Sequence, residues 1–423
     1  MLKPETEAAY TAILQEELIL ATGCTEPIAI AYAAAKLRQV LGALPERITA
    51  EMSGNIIKNV KSVVVPNTGG LKGIEAAVAA GVVAGDADQE LQVISSVPAE
   101  RHPEIAAYLK HTPISVSCAD TMHILDIALT GYAGDTTAFV RIADRHNNLV
   151  EIRKDEQVLL HKPLSDETDS VQTDRSVLNL HDILLYAQEV PLEKVSPLLD
   201  RQIQCNSAIA QEGLEHNWGA NIGSTILREY GSDIKSEARA WAAAGSDARM
   251  SGCEMPVVIL SGSGNQGITA SLPVIRYAKH LNATQEALYR ALLISDLVTV
   301  YQKVGIGRLS AYCGAISAGV GAGAGIAFLQ GADETALAHT IVNAVAILSG
   351  TICDGAKPSC AAKIAASVDA GILGYLMYRS GHEFKRGEGI VGSSVANTVT
   401  NVGVLARQGM HGTDQTILKI MTE

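Results

Sequence analysis

A chain of 423 residues is long enough for more than one domain and a large core. Its formal net charge of −12 argues against a nucleic-acid partner, whose phosphates demand a basic face. Hydrophobic residues make up 47% of the chain but aromatics only 4%, and 38 residues are glycine, so the expected core is one of closely approaching Ala/Gly-rich helices.

Residues 4–19 read as an amphipathic helix, with Ala8, Ala9, Ile13, Leu14 and Leu18 on its apolar face. The N-terminal stretch lacks the basic region, apolar run and small-residue cleavage site of a signal peptide. In the following ATGCTEP, Pro27 suits the first turn of a helix that Thr25 or Glu26 caps and that continues through IAIAYAAAKLRQVLG. Cys24 therefore falls just ahead of a helix N-terminus, where the positive end of the dipole favours thiolate.

From Arg47 the pattern changes. RITAEMSGNIIKNVKSVVVPN has strand character, with Val63 to Val65 a short buried strand, and NTGG leads into an apolar helix. LQVISSV reads as a strand and PAERHPEIAAYLKH as a helix. ISVSCAD, HILDIALTG, TTAFVRIAD and NLVEIRKD read as further strands, with RHNN a hairpin turn between the last two. The polar stretch from His161, HKPLSDETDSVQTDRSVLN, reads as a linker. From Leu180 onward the signals are almost entirely helical, separated by glycine clusters.

The fold class expected is α+β, a large helical domain carrying the chemistry with an inserted α/β domain. Residues 1–44 supply N-terminal helices that pack with the helical domain, 45–165 form the insertion, and 166–423 form the all-helical catalytic domain. The most apolar segments, such as Ala311 to Leu329, are rich in Gly and Ala rather than Leu, Ile and Phe, so buried helices are expected and no membrane partner. Seven cysteines without a secretion signal fit a reducing cytoplasm. Gly/Ala-rich helical faces make a homo-oligomer an expectation.

Three cysteines share one local setting. Cys24, Cys313 and Cys353 each sit at a glycine-marked turn near the start of a helix, and they are read as converging; inert burial is the alternative. Their spacing matches neither zinc-finger nor ferredoxin patterns. Cys360, seven residues after Cys353, is an alternate or neighbouring thiol. Cys118 and Cys205 read as packed small hydrophobes, and Cys253 as structural. A second feature is SGSGNQG, from Ser261, between the apolar run PVVIL and a helix. Such a loop aims backbone N–H groups at a carboxylate or phosphate, or is a plain turn. It is neither a Walker A motif nor a dinucleotide fingerprint. Thr68 and Gly69, in NTGG, form a weaker candidate of the same kind.

GCTEP, SGSGNQG, AYCGAISAG and SGTICDGAKPSCA together resemble a bacterial family related to L-cysteine desulfidase and, more distantly, to the α-chain of iron–sulfur L-serine dehydratase. The resemblance spans nearly the whole chain. It implies an oxygen-sensitive [4Fe–4S] cluster held by three cysteines, the matching positions being Cys24, Cys313 and Cys353. It also implies β-elimination from L-cysteine, giving sulfide, ammonia and pyruvate, or from L-serine by the same mechanism. On that reading Ser261, Gly262, Ser263, Gly264 and Asn265, with Thr68 and Gly69, bind the small amino-acid substrate. Lys357, beside Cys353, is the base or an electrostatic clamp, with a solvated lysine as its alternative. The competing expectations are a pyridoxal-phosphate lyase, which needs a Schiff-base lysine, and a non-catalytic small-molecule binding protein.

Overall fold

The computed structural model describes residues 2–22, 25–121, 123–164, 173–307 and 310–422. The first part of the chain runs α1 (Pro4–Glu17), β1 (Leu20–Thr22), α2 (Thr25–Leu41), β2 (Arg47–Met52), α3 (Gly54–Val60), α4 (Ile74–Ala84) and α5 (His102–His111). Five strands follow, β3 (Ile114–Cys118), β4 (Asp126–Ala133), β5 (Thr136–Ala143), β6 (Leu149–Lys154) and β7 (Gln157–His161). The rest is α6 (Leu180–Glu189), α7 (Ser196–Glu215), α8 (Ile222–Tyr230), α9 (Ile234–Met250), β8 (Pro256–Val258), α10 (Gly264–His280), α11 (Gln285–Ile306), α12 (Gly314–Leu329), α13 (Glu334–Leu348), α14 (Cys360–Arg379), α15 (Val395–Val404) and α16 (His411–Thr422).

The fold is α+β. Strands β2 to β7 form one sheet in the order β3-β2-β4-β5-β6-β7, with β2 and β3 parallel and the other pairs antiparallel. Alternation decides its faces. Ile127 and Leu129 of β4 and Ala138, Val140 and Ile142 of β5 point into a core shared with α2 and α4. A second, larger core is built from α1 and the helices after Leu180.

Several local readings differ from the sequence expectations, among them the strand character read across Gly54–Val60, which is the helix α3. The sequence assigns α2 to the helical domain, but its residues from Ile28 to Leu41 join the sheet's core, while α1 alone of the first two helices packs with the later ones. Close approach explains the choice: a Cβ at Gly81 of α4 would lie 2.2 Å from the Ala31 carbonyl oxygen, so α2 and α4 touch backbone to backbone. LQVISSV is not a strand. Val93 and Ile94 are both buried, which no one-sided strand permits, and the segment folds as a short 3₁₀ helix over Ala87–Gln92 followed by turns. Val63 to Val65 makes a single antiparallel bridge, Val64 to Lys72, rather than a strand. Cys118 is in a strand as read, but β3 is a sheet edge and the thiol is exposed.

Helix α12 is the centre of the helical half, surrounded by α10, α11, α13 and α14. Its glycines permit this. A Cβ at Gly371 of α14 would meet the Gly319 carbonyl oxygen at 2.1 Å, and one at Gly321 would meet Thr299 Oγ1 of α11 at 2.2 Å. Among the described residues α14 is the one helix long and apolar enough to cross a membrane, and about half of it is buried inside the protein.

Candidate active site

Two short pairings between distant segments build the site. β1 runs antiparallel to β8, with Leu20 opposite Val258, and Ile259 N–H donates to Ile19 O at 2.9 Å. The buried Asn206 of α7 fixes β8 from behind, accepting from Val258 N–H at 2.9 Å and donating to its carbonyl at 3.3 Å. This ladder sets the start of α2 beside the loop that follows β8. In the second pairing Tyr312 bridges Ile352, with Cys313 N–H donating to Thr351 O at 3.0 Å and Cys353 N–H to Ala311 O at 2.6 Å. Two thiols forty positions apart in sequence are thereby placed side by side.

The SGSGNQG loop is a tight hairpin opening a helix. Leu260 and Ser263 exchange N–H···O bonds of 3.1 and 3.0 Å, and the two residues between them, Ser261 and Gly262, have φ of +49° and +73°. Positive φ at both central positions is the two-residue turn that glycine favours. Gly264 then starts α10 against the Arg249 side chain: a Cβ there would sit 2.2 Å from Arg249 Nε and would push that side chain aside. Arg249 Nη1 donates to Asn265 Oδ1 at 3.3 Å. Ser261 Oγ and Gln266 Oε1 are buried with no hydrogen-bond partner among the described residues, an arrangement that suits a water or a ligand.

These parts enclose a cavity of about 160 Å³. Cys313, Cys353 and Cys360 line it, as do Ser261 to Gln266, Thr25 and Glu26, Lys58 and Asn59, His146, Arg249, Lys303 and Lys363. The structure thus brings Ser261, Gly262, Ser263, Gly264 and Asn265 together with Cys313 and Cys353. Cys24 lies outside the described residues; its successors Thr25 and Glu26 are on the cavity wall. Thr68 and Gly69 are not on that wall. Thr68 Oγ1 donates to Val65 O at 2.7 Å, and the space beside Gly69 is filled by the His102 ring, so this turn serves the sheet unit. Lys357 is also off the wall. It is ion-paired with Asp354, and its ammonium donates to the Asp354 carbonyl at 3.1 Å.

The electrostatics favour negative charge on one of the three thiols, that of Cys353; burial pushes the Cys360 thiol up. The two neighbouring thiols act on each other: the Cys313 side chain holds Cys353 well below the ordinary thiol range, and Cys353 drives Cys313 well above it. Burial opposes the Cys353 shift, and Lys58, the Gly355 N–H and Lys363 assist it. Lys58 is almost wholly buried and paired with Asp414 at 2.6 Å. Lys363 is paired with Asp354 at 2.6 Å, and Asp354 is held at about 2 by Lys357 and Lys363 against the effect of burial. Lys303, at the end of α11, is different: among the described residues it makes no ion pair. Burial pulls its ammonium down to about 8, with Cys353, Cys313 and Glu17 opposing that shift.

Sequence reasoning missed Lys303, Lys58 and His146. The first two look like ordinary helix lysines in sequence, and His146 is one letter of a hairpin turn. Cys360 was legible as a nearby thiol, and the structure adds that it shares the cavity.

Residues 88–419 match the model of the serine dehydratase alpha chain. The chain is 56% identical over 412 residues to a UPF0597 protein of Desulfitobacterium hafniense, covering 97% of this chain and 96% of that protein. It is 49% identical to a UPF0597 protein of Lachnoclostridium phytofermentans, covering 97% and 98%, and 44% identical to one of Treponema denticola, covering 97% of each. The chain belongs to the serine dehydratase alpha-chain family, within its UPF0597 relatives.

Proposed function

We propose that the protein is an iron–sulfur-dependent lyase that eliminates the β-substituent of a small L-amino acid, with L-cysteine as substrate and sulfide, ammonia and pyruvate as products. L-Serine, losing water by the same route, is the second substrate to test. Family membership supports a serine-dehydratase-like lyase. The observation that carries the reading is the side-by-side placing of Cys313 and Cys353 facing the SGSGN turn across one cavity.

The donor set fits a [4Fe–4S] cluster. Thiolates are its ordinary ligands, the cavity gathers three thiols, and the buried Lys303 and Lys58 balance their negative charge. No group of three ligands for a single metal ion occurs among the described residues. Cys313 and Cys353 would hold the cluster, with Cys24 as third ligand by the family resemblance and Cys360 as the third thiol at the cavity. When bound, such a cluster supplies a Lewis-acidic iron without a protein ligand.

The chain's own residues do the rest. The N–H groups at the start of α10 and the ammonium of Lys303 receive the substrate carboxylate. Ser261 Oγ and Gln266 Oε1 take up the hydrogen bonds that the protein leaves unmade, the latter accepting from the amino group. The sheet unit, read as an insertion into the helical domain, closes one side of the cavity through Lys58, Asn59 and His146. A reducing cytoplasm, the compartment that the cysteine usage suggests, suits such a cluster.

Anaerobic purification with iron and acid-labile sulfide analysis, followed by assay of sulfide and pyruvate from L-cysteine and L-serine, tests the reading. About four iron and four sulfide per chain with turnover of L-cysteine is the expected result. Metal-free protein inert toward both amino acids would sink it, and an absorbing pyridoxal cofactor would replace it with the Schiff-base route.

A further inference from the structure

We propose that His146 is the base that removes the substrate's α-proton, so that the sheet unit contributes chemistry to the cavity as well as a wall. This rests on the lyase reading above.

His146 sits in the turn between β5 and β6 and lines the same cavity as the thiols and the SGSGN turn. The turn is tied down on both sides of it. Asp144, at φ +66°, donates its N–H to Leu125 O at 3.0 Å and accepts from the His123 ring at 2.8 Å. Asn147 Nδ2 donates to Glu90 Oε2 at 3.1 Å, and Asn148 Nδ2 to Ala143 O at 3.0 Å. None of these bonds uses the His146 ring, which among the described residues makes no hydrogen bond and no ion pair. The imidazole is thus half-buried and held at the cavity by a fixed turn, with neither nitrogen bonded among the described residues.

The other basic groups on the wall are committed or unsuited. Lys58 and Lys363 are bound to Asp414 and Asp354. Arg249 is committed to the Asn265 side chain. Lys303, on the wall and within reach of the charge of Cys313 and Cys353, is placed to hold an anion. Burial lowers the His146 pKa from its ordinary value, and the charge of Glu26 opposes this. A neutral imidazole has the lone pair that proton abstraction needs, and Glu26 favours the imidazolium that results.

The step balances without a further reactant. An imidazole nitrogen takes the Cα proton, and the C–H electron pair becomes the Cα–Cβ π bond. The Cβ–S bond breaks with its pair on sulfur, giving 2-aminoacrylate and hydrosulfide. The imidazolium then returns its proton to hydrosulfide or to water.

Two measurements test this. In the wild-type chain, ethoxyformylation of His146 by diethylpyrocarbonate, followed by mass spectrometry, is expected to fall several-fold when L-alanine, an unreactive analogue, is added. In anaerobically prepared His146→Asn and His146→Gln proteins, turnover of L-cysteine is expected to fall about a hundredfold or more, with iron and labile sulfide unchanged. Undiminished turnover in either variant would overturn the proposal, as would loss of iron in both, which would make His146 a structural residue. Unchanged labelling in the presence of L-alanine would place the imidazole away from the substrate and overturn it equally. If the wild-type protein itself eliminates neither L-cysteine nor L-serine, the fault lies in the lyase reading and the assignment of His146 falls with it.

Discussion

Lys58 of α3 and Asp414 of α16 meet at 2.6 Å, one almost wholly buried and the other about a quarter exposed. They join the sheet unit to the last helix of the chain, and Lys58 also lends its charge to Cys353. Asp414→Asn leaves a buried ammonium without its counter-charge. The expected cost is roughly 2–4 kcal/mol, somewhat below that of a fully buried pair because Asp414 is partly solvated. Urea denaturation measures it. The double variant Lys58→Met with Asp414→Leu should regain most of the loss, and no regain would mean that the pair does more than neutralise itself.

Cys313→Ser and Cys353→Ser proteins, prepared anaerobically, are each expected to lose most of their bound iron. The third ligand is decided by Cys24→Ser and Cys360→Ser. The one that empties the protein of iron is the ligand. The one that keeps iron but changes turnover acts on the substrate side.

Gly371→Ala puts a methyl where the Gly319 carbonyl oxygen now stands, 2.1 Å away. Neither backbone can yield without parting α12 from α14. A loss on the order of 1–3 kcal/mol is expected, read as a lowered denaturation midpoint. Gly355→Ala combines a φ of +94° with a Cβ only 2.0 Å from the Lys58 carbonyl oxygen. It should displace the segment from Cys353 to Cys360 and cost iron binding as well as stability.

Asp296 is fully buried on α11. Its carboxyl is pushed up to about 7 by burial, against a 3.0 Å hydrogen bond from Gln202. The folded protein therefore holds a proton that the unfolded chain gives up near pH 4. Stability from this group is greatest below about pH 4, falls as pH rises toward 7, and is flat above. Asp296→Asn should remove that slope. At pH 8 the variant is expected to melt higher than wild type, with a gain on the order of a few kcal/mol at most, and the difference should shrink toward pH 4. Parallel curves for the two proteins would refute this.

The elements that announce themselves locally were legible. The strands β3 to β6, the RHNN turn, the helices after Leu180 and the turn-then-helix setting of Cys313 and Cys353 all follow from patterns a few residues long. What brings the two thiols together was not legible. The Tyr312–Ile352 bridge is made by backbone groups forty residues apart, and backbone groups leave no trace in side-chain pattern. The same holds for β1 against β8, each three residues long. His146 shows the limit from the other side: the sequence marks a turn there, but not which distant cavity the turn overhangs. Helix α2 was misassigned because an alanine-rich surface fits a sheet as well as a helix. Lys357 drew attention by adjacency to Cys353, yet Asp354 is nearer to it than the cavity is.

The cavity wall draws on residues as far apart as Thr25 and Ile364. Among the described residues the core beneath the sheet draws on positions 28–160. During synthesis that first core can close while the later helices are still unmade, whereas Cys353 and Cys360 leave the ribosome near the end. The early half waits with its share of the wall finished and open to solvent. A chain cut short after α12 would carry every residue of the sheet's core and neither Cys353 nor Cys360 of the cavity wall.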